Sequence, residues 1–237
     1  MTIDTHGPTP ILQRDRTAAL PLLAPLGAVA FTASWVALGA RSPGYRMFDV
    51  VVPSYSPISQ PVSGLGLGET ATAMNAAFVL CGLMVAVGAW ATARTWPRTG
   101  RPRLRRWAHA LLASSGVGMA TCGVFTLESM ELHSLGFLLA VGAPAVGFAL
   151  AGLLLRDGSP AVARALLVAG PVALLLMGLF LATFDPVAAG AGEGVAGFVQ
   201  RVLVSVVLGT LGALGVRAVR PASATAAARS TASRRAR

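Results

Sequence analysis

Long runs without charge alternate with short segments that hold nearly all the acids and arginines. Five of these runs, Thr17–Ala40, Thr70–Ala93, Trp107–Leu127, Leu132–Leu155 and Ala165–Phe184, each reach the ~20 residues a helix needs to cross the hydrocarbon core of a bilayer. A sixth, Gly194–Val216, is interrupted by Gln200 and Arg201. The part after Arg201 is too short to span alone, so the arginine belongs inside the helix. The pattern predicts an all-α polytopic membrane protein: a six-transmembrane-helix bundle over 17–217, a cytoplasmic tail over 1–16 and a disordered basic tail over 218–237. The first run is longer than the roughly 7–15 apolar residues of a signal peptide, which predicts an uncleaved helix.

Composition agrees with the pattern. Of 237 residues, 54% are hydrophobic and 12% charged, with a mean hydropathy of +0.68. A soluble domain carries about 25% charged residues, so the chain has too little polar surface for a water-soluble globule. Most soluble enzymes and nucleic-acid readers are excluded on that ground. The net charge of +10 comes from nineteen arginines and no lysine, and its distribution sets orientation. With both termini in the cytoplasm, sixteen of the nineteen arginines lie inside, including Arg94, Arg98, Arg101, Arg103, Arg105 and Arg106. Six of the nine acids (Asp49, Glu69, Glu128, Glu131, Asp185, Glu193) lie outside. Both distributions predict an N-in, C-in protein of the bacterial cytoplasmic (plasma) membrane. Membrane lipids are the expected partners, and no nucleic acid is expected: the basic excess reads as topology signal and contact with anionic lipid.

The outside segment 41–69 is the one long connection, with both tyrosines (Tyr45, Tyr55) and four prolines (Pro43, Pro53, Pro57, Pro61). It shows no strand or helix periodicity, and such loops tend to be functional or disordered. Small residues four apart, Gly116 with Ala120, Gly118 with Cys122, Gly147 with Ala151 and Gly209 with Ala213, are predicted to let helices approach closely. Pro144 and Pro171 are predicted to kink the helices that hold them.

Arg201 is the sharpest chemical signal, since a charge within a membrane helix is expensive unless paired, hydrated or snorkelled. At 1.5 Å per residue it lies roughly 10 Å below the outer end of its helix. Ser34, Asn75 and Thr121 are expected at similar depth, with Gln200 beside it and Glu128, Glu131, Asp185 and Glu193 just above. A polar pocket near the outer leaflet follows, with a carboxylate as the natural partner of the guanidinium; a side chain that snorkels to the headgroups is the alternative. Glu128, Glu131 and His133 have the residue types for acid–base work; a solvated turn explains them more simply, and neither a metal nor a cofactor is expected. The glycine-rich Ser63–Gly68 lacks the Lys-Ser/Thr of a phosphate loop. His109 is expected at the inner interface. Cys81 and Cys122 differ in depth, which argues against a disulfide.

Several residues in order resemble a known family. They are Tyr55-Ser56-Pro57-Ile58-Ser59 and Ser63-Gly64-Leu65-Gly66 outside, then Asn75-Ala76-Ala77-Phe78 and Gly82 in the second helix. Gly123-Val124-Phe125, Leu132-His133 and Gly197-Phe198-Val199-Gln200-Arg201 follow. The chain resembles the prokaryotic membrane proteins known as domain of unknown function 998 (DUF998) from about Leu20 to Arg217. The resemblance implies the six-helix fold and leaves activity open. Relatives carry an acid before the arginine of the last helix, where this chain has Gln200.

The expected function is therefore a ligand-, lipid- or partner-binding bundle with a polar pocket near the outer leaflet, its ligand a lipid or small molecule. An enzyme acting on a lipid or lipid-linked group at the outer leaflet is the alternative, and a small permease the third reading.

Overall fold

The uncharged runs form helices that are apolar on every side, as membrane spans are. In a computed structural model, which describes residues 16–47, 50–52, 54–96 and 100–219, a 3-10 turn at Arg16–Leu22 leads into α1 (Leu23–Gly39). Pro21 and Pro25 occupy this entry, where a missing N–H is tolerated. After the 41–69 segment come α2 (Ala71–Arg94), α3 (Pro102–Val124) and α4 (Met130–Phe137). A π-turn over Leu138–Gly142 joins α4 to α5 (Ala143–Leu155), and α6 (Pro160–Thr183), the short α7 (Pro186–Gly190) and α8 (Ala196–Val219) complete the chain. The expected tails 1–16 and 218–237 lie outside the described residues, apart from Arg16, Ala218 and Val219.

Among the described residues, five continuous stretches are long and apolar enough to cross a membrane: Thr17–Gly39, Gly68–Arg94, Leu127–Leu155, Pro160–Thr183 and Ala196–Val219. Large apolar side chains cover their outward faces; Val29, Val168 and Leu175 are 69%, 63% and 73% exposed. Facing water, such a surface is an aggregation liability; facing lipid, it is ordinary. The chain is a multi-pass integral membrane protein. Helix α3 is long but more polar, with arginines in its first turns and Ser114, Ser115 and His109 further on. It packs mainly against α2 and α5.

Glycines set the helix spacing. A Cβ on Gly82 would stand 2.6 Å from the Gly116 carbonyl oxygen, and one on Gly147 would press on Leu111 and Leu112. Gly118 is held as closely against Gly136 and Ala140. Gly209 differs, with open space where a Cβ would be. A π-turn precedes Pro144, which stands in the first turn of α5. Proline has no N–H for the carbonyl four residues back, and that Ala140 carbonyl accepts from Ser115 Oγ at 2.8 Å instead. Ser114 Oγ similarly reaches the Leu139 carbonyl, at 3.2 Å.

His109 is buried and packs edge-on against Trp90 and Trp96 at 6.0 and 5.6 Å. One expectation needs correction. The described residues of the segment 41–69 are structured: β1 (Tyr45–Met47) pairs antiparallel with β2 (Val50–Val52), and 3-10 turns follow at Val62–Gly66 and Gly68–Thr70. Strands of three residues are too short to display the two-residue period by which a strand is read. Gly44 and Gly68 take positive φ values of 114° and 65°, a conformation glycine adopts without steric cost. The segment caps one end of the bundle, with Tyr45, Met47, Val52, Leu67 and Leu127 as its own small core.

Candidate functional site

The cap is fastened to the bundle by polar side chains rising from the helices. Helix α8 begins beneath it, and its first N–H groups, which have no partner within the helix, find cap carbonyls. Gly197 N–H donates to Ser59 O at 3.2 Å and Phe198 N–H to Ile58 O at 2.8 Å. Gly197 permits this approach, because a Cβ there would lie 2.7 Å from the Gln60 nitrogen.

Arg201, one turn further along α8, is buried at 8% exposure. Its Nη1 donates to the carbonyls of Pro57 (2.7 Å), Gln60 (2.9 Å) and Gly197 (2.9 Å), and its Nη2 donates to the Tyr55 hydroxyl. The guanidinium also stacks over the Trp35 and Tyr55 rings, 5.3 and 5.6 Å from their centroids. Among the described residues no carboxylate lies within ion-pair distance of it. The expected acidic partner is replaced by carbonyl dipoles and two aromatic faces. The side chain turns into the cap and does not snorkel toward headgroups.

The tyrosines stay neutral. Tyr55 OH donates to Pro61 O at 3.2 Å, and burial raises its pKa although Arg201 pulls the other way. Burial, with a smaller contribution from Tyr55, pushes Tyr45 up to about 12. Gln60 is fully buried and holds the cap together. Its Nε2 donates to Ser54 O and to Ala189 O at the end of α7, while its Oε1 accepts from Ser56 N–H.

Gln200 points to a second cluster. Its Oε1 accepts from Val62 N–H at 2.7 Å, holding the start of the Val62–Gly66 turn. Ser63, next in that turn, lies 2.9 Å from His133 Nε2, and His133 Nδ1 lies 2.7 Å from the Phe125 carbonyl oxygen. Ser63, His133 and Gln200 are all buried, and all three line a cavity of about 230 Å³. The rest of its wall is mainly apolar, including Met130, Phe137, Leu138, Phe180, Leu181 and Phe184. A single water occupies about 30 Å³, so the space is several times larger than a hydration site. Ser63, Phe137 and Gln200 also border a much smaller cavity of about 30 Å³ that runs inward among α1, α2, α3 and α8.

Of the residues singled out in the sequence, Arg201 and Gln200 stand under the cap and His133 joins Gln200 at the cavity. Asn75 lies one step away: its Nδ2 donates to Gly66 O at 3.1 Å and holds the far end of the Ser63 turn. The others lie elsewhere. Ser34 and Thr121 bond back to their own helices, at Ala30 O and Val117 O. Glu128 and Glu131 are exposed, while His133 on the same short stretch is buried. Asp185 is exposed and caps α7, accepting from Val187 and Ala188 N–H at 2.8 and 3.2 Å. Among the described residues no cluster of His, Cys, Asp or Glu could hold a metal ion. Cys81 and Cys122 are free and buried. Sequence reasoning missed Ser63, Tyr55, Gln60 and Trp35 as members of the two clusters. The only signal was a serine opening a glycine-rich turn beside a helix that carries a histidine.

Residues 25–217 match the family described as Protein of unknown function (DUF998). No curated protein and no solved structure matches the chain.

Proposed function

The chain belongs to the DUF998 family, and from that premise we propose that it is a lipid-binding protein of the bacterial plasma membrane. Six helical spans cross the bilayer: the five long apolar stretches and α3, whose 23 residues extend roughly 34 Å at 1.5 Å per residue. The cap faces outward and both termini face the cytoplasm. This orientation is supported by Arg94, Arg103, Arg106, Arg156 and Arg217, which lie at helix ends remote from the cap, as cytoplasmic arginines do.

The observation that carries the reading is the cavity lined by Ser63, His133 and Gln200, its wall completed by Ser134 and otherwise apolar side chains. Its occupant is one acyl chain of a membrane lipid. Leu138 and Leu181 line the cavity and are also 46% and 55% exposed on the outer faces of their helices, so the phase beside it is lipid. Among the described residues no charged side chain lines it, which leaves a headgroup phosphate or ammonium outside while the chain's ester end meets Ser63, His133 and Gln200. A mostly apolar site with a few placed polar groups is the usual form of a small-molecule site. Arg201 acts indirectly, by fixing the cap that forms part of the cavity's wall.

Lipid extraction and native mass spectrometry on the full-length protein, purified in detergent, test this. The expected result is co-purified acyl lipid in the wild type and its loss in Leu138→Trp and Ser134→Trp, which fill the cavity. A wild-type protein stripped of lipid that does not rebind a spin-labelled phospholipid defeats the reading.

A further inference from the structure

The hydrogen-bond directions at His133 are settled by the chemistry of its neighbours. The Phe125 carbonyl can only accept, so at 2.7 Å the proton is on Nδ1. Neutral imidazole carries one N–H, so Nε2 presents a lone pair to Ser63 Oγ at 2.9 Å, and the serine hydroxyl donates to it. A hydroxyl on a base, with the base oriented by a third group, is the arrangement of an activated nucleophile. Here the orienting group is a backbone carbonyl in place of the usual carboxylate.

Three further features surround the pair. The Ser63 turn is fixed on all sides: Asn75 Nδ2 donates to Gly66 O at 3.1 Å, Thr70 Oγ1 to Leu65 O at 2.7 Å, and the Tyr45 ring closes on Gly64. Gln200 Oε1 accepts from Val62 N–H, which commits its orientation; among the described residues no hydrogen bond holds its Nε2 amide, and Gln200 lines the same cavity as Ser63. A positioned amide donor stabilises the oxyanion that forms when a serine attacks a carbonyl. Finally, Ser63, His133 and Gln200 line the same cavity of about 230 Å³.

From this geometry we propose that Ser63 is the nucleophile and His133 the general base of an acyl-transfer site that hydrolyses a long-chain carboxylic ester presented from the membrane. The proposal rests on the lipid-binding reading above and deepens it. In the first half-reaction a bond forms between Ser63 Oγ and the ester carbonyl carbon, and the hydroxyl proton passes to His133 Nε2. The tetrahedral oxyanion accepts from Gln200 Nε2. Its collapse breaks the bond to the alcohol, whose oxygen takes the proton back from Nε2 and leaves. In the second half-reaction water attacks the acyl-serine carbonyl carbon, giving a proton to Nε2; collapse breaks the bond between that carbon and Ser63 Oγ, which takes the proton back from Nε2 as the fatty acid leaves.

The full-length protein in detergent micelles is treated with a long-chain alkyl fluorophosphonate and the adduct is located by peptide mass spectrometry. The expected result is loss of fluoride and a covalent adduct on Ser63 of the wild type, absent in Ser63→Ala. In His133→Gln, checked by circular dichroism and gel filtration, labelling slows by about 100-fold, the usual range for losing a general base. The wild-type adduct site carries the test even if a variant fails to fold. A merely structural Ser–His clamp leaves Ser63 unlabelled. A folded wild type with no adduct on Ser63, or a folded His133→Gln labelled at the wild-type rate, overturns the proposal. Co-purified lipid is measured on the same preparation. Retained lipid without an adduct removes the chemistry and leaves the binding reading, whereas neither lipid nor adduct removes both.

Discussion

Arg201 Nη1 donates to the Pro57 carbonyl oxygen at 2.7 Å across 144 residues of sequence, so the one charge buried within α8 is spent on a loop and not on an acid. Its Nη groups collect three carbonyls and a phenol. Buried acceptors without donors are expensive. Arg201→Ala therefore leaves the Pro57 and Gln60 carbonyls unsatisfied and is expected to destabilise the folded protein by about 3 kcal/mol, the scale of breaking a buried charged contact. Arg201→Lys keeps the charge but lacks the planar fork that reaches the carbonyls and Tyr55 together, and recovers only part of the loss. Detergent-resistant thermal unfolding of the three proteins is the check. Equal stability of Arg201→Ala and wild type would mean the cap is held without the guanidinium.

The chain has two tyrosines, and both sit in the cap. Burial raises both phenols above their ordinary value of about 10, Tyr45 to about 12. A folded-state pKa above the unfolded one favours the folded protein while the unfolded phenol is still protonated. That contribution is complete below about pH 10 and is lost as pH climbs toward 12. Spectrophotometric titration of the folded protein should show little tyrosinate near pH 10, with ionisation and opening of the cap at higher pH. In Arg201→Ala, Tyr55 loses the cation that opposes its shift, and its ionisation moves further up. A simple midpoint at the ordinary value in the folded wild type would contradict the buried cap.

Ser115 and Pro144 form a compensated pair. The proline denies the Ala140 carbonyl its usual helical donor, and Ser115 Oγ supplies one at 2.8 Å. Ser115→Ala is expected to destabilise by about 1–2 kcal/mol, the range for interhelical hydrogen bonds in lipid. In a Pro144→Ala background, residue 144 regains an N–H for the same carbonyl, and the effect of Ser115→Ala should shrink toward zero. A double-mutant cycle by unfolding in mixed micelles measures the coupling; additive effects would show that the hydroxyl and the proline are independent.

The helices, and the placement of Arg201 and Gln200 within the last of them, were legible because both follow from one-dimensional signals: uncharged length, and polar residues interrupting it; whether Arg201 is buried or snorkels was not. The partners of Arg201 were not legible, because backbone carbonyls leave no mark in a sequence and carboxylates do. The same bias drew attention to Glu128, Glu131 and Asp185, which are exposed, and away from Ser63 and Gln60. His133 could be picked out as an ionisable residue. Its pairing with Ser63, 70 residues earlier, depends on how a cap without readable periodicity folds over the bundle.

Glycine at two positions on the bundle has opposite meanings, and that contrast can be measured. A Cβ on Gly82 would meet the Gly116 carbonyl oxygen at 2.6 Å and Ala120 N at 2.9 Å, backbone atoms that cannot swing aside, whereas one on Gly209 meets nothing within 4 Å. Gly82→Ala must push α2 from α3, and overpacking of this kind typically destabilises by about 1–3 kcal/mol. Gly209→Ala adds a methyl to open space and removes a flexible residue from the α8 interior, which is expected to stabilise by up to about 1 kcal/mol. Thermal unfolding of the two single variants in the same detergent compares them directly. Equal effects would show that α2 and α3 do not meet at the Gly82–Gly116 contact, and with it would fall the tight packing that sets Phe78 and Met119 on the inner cavity.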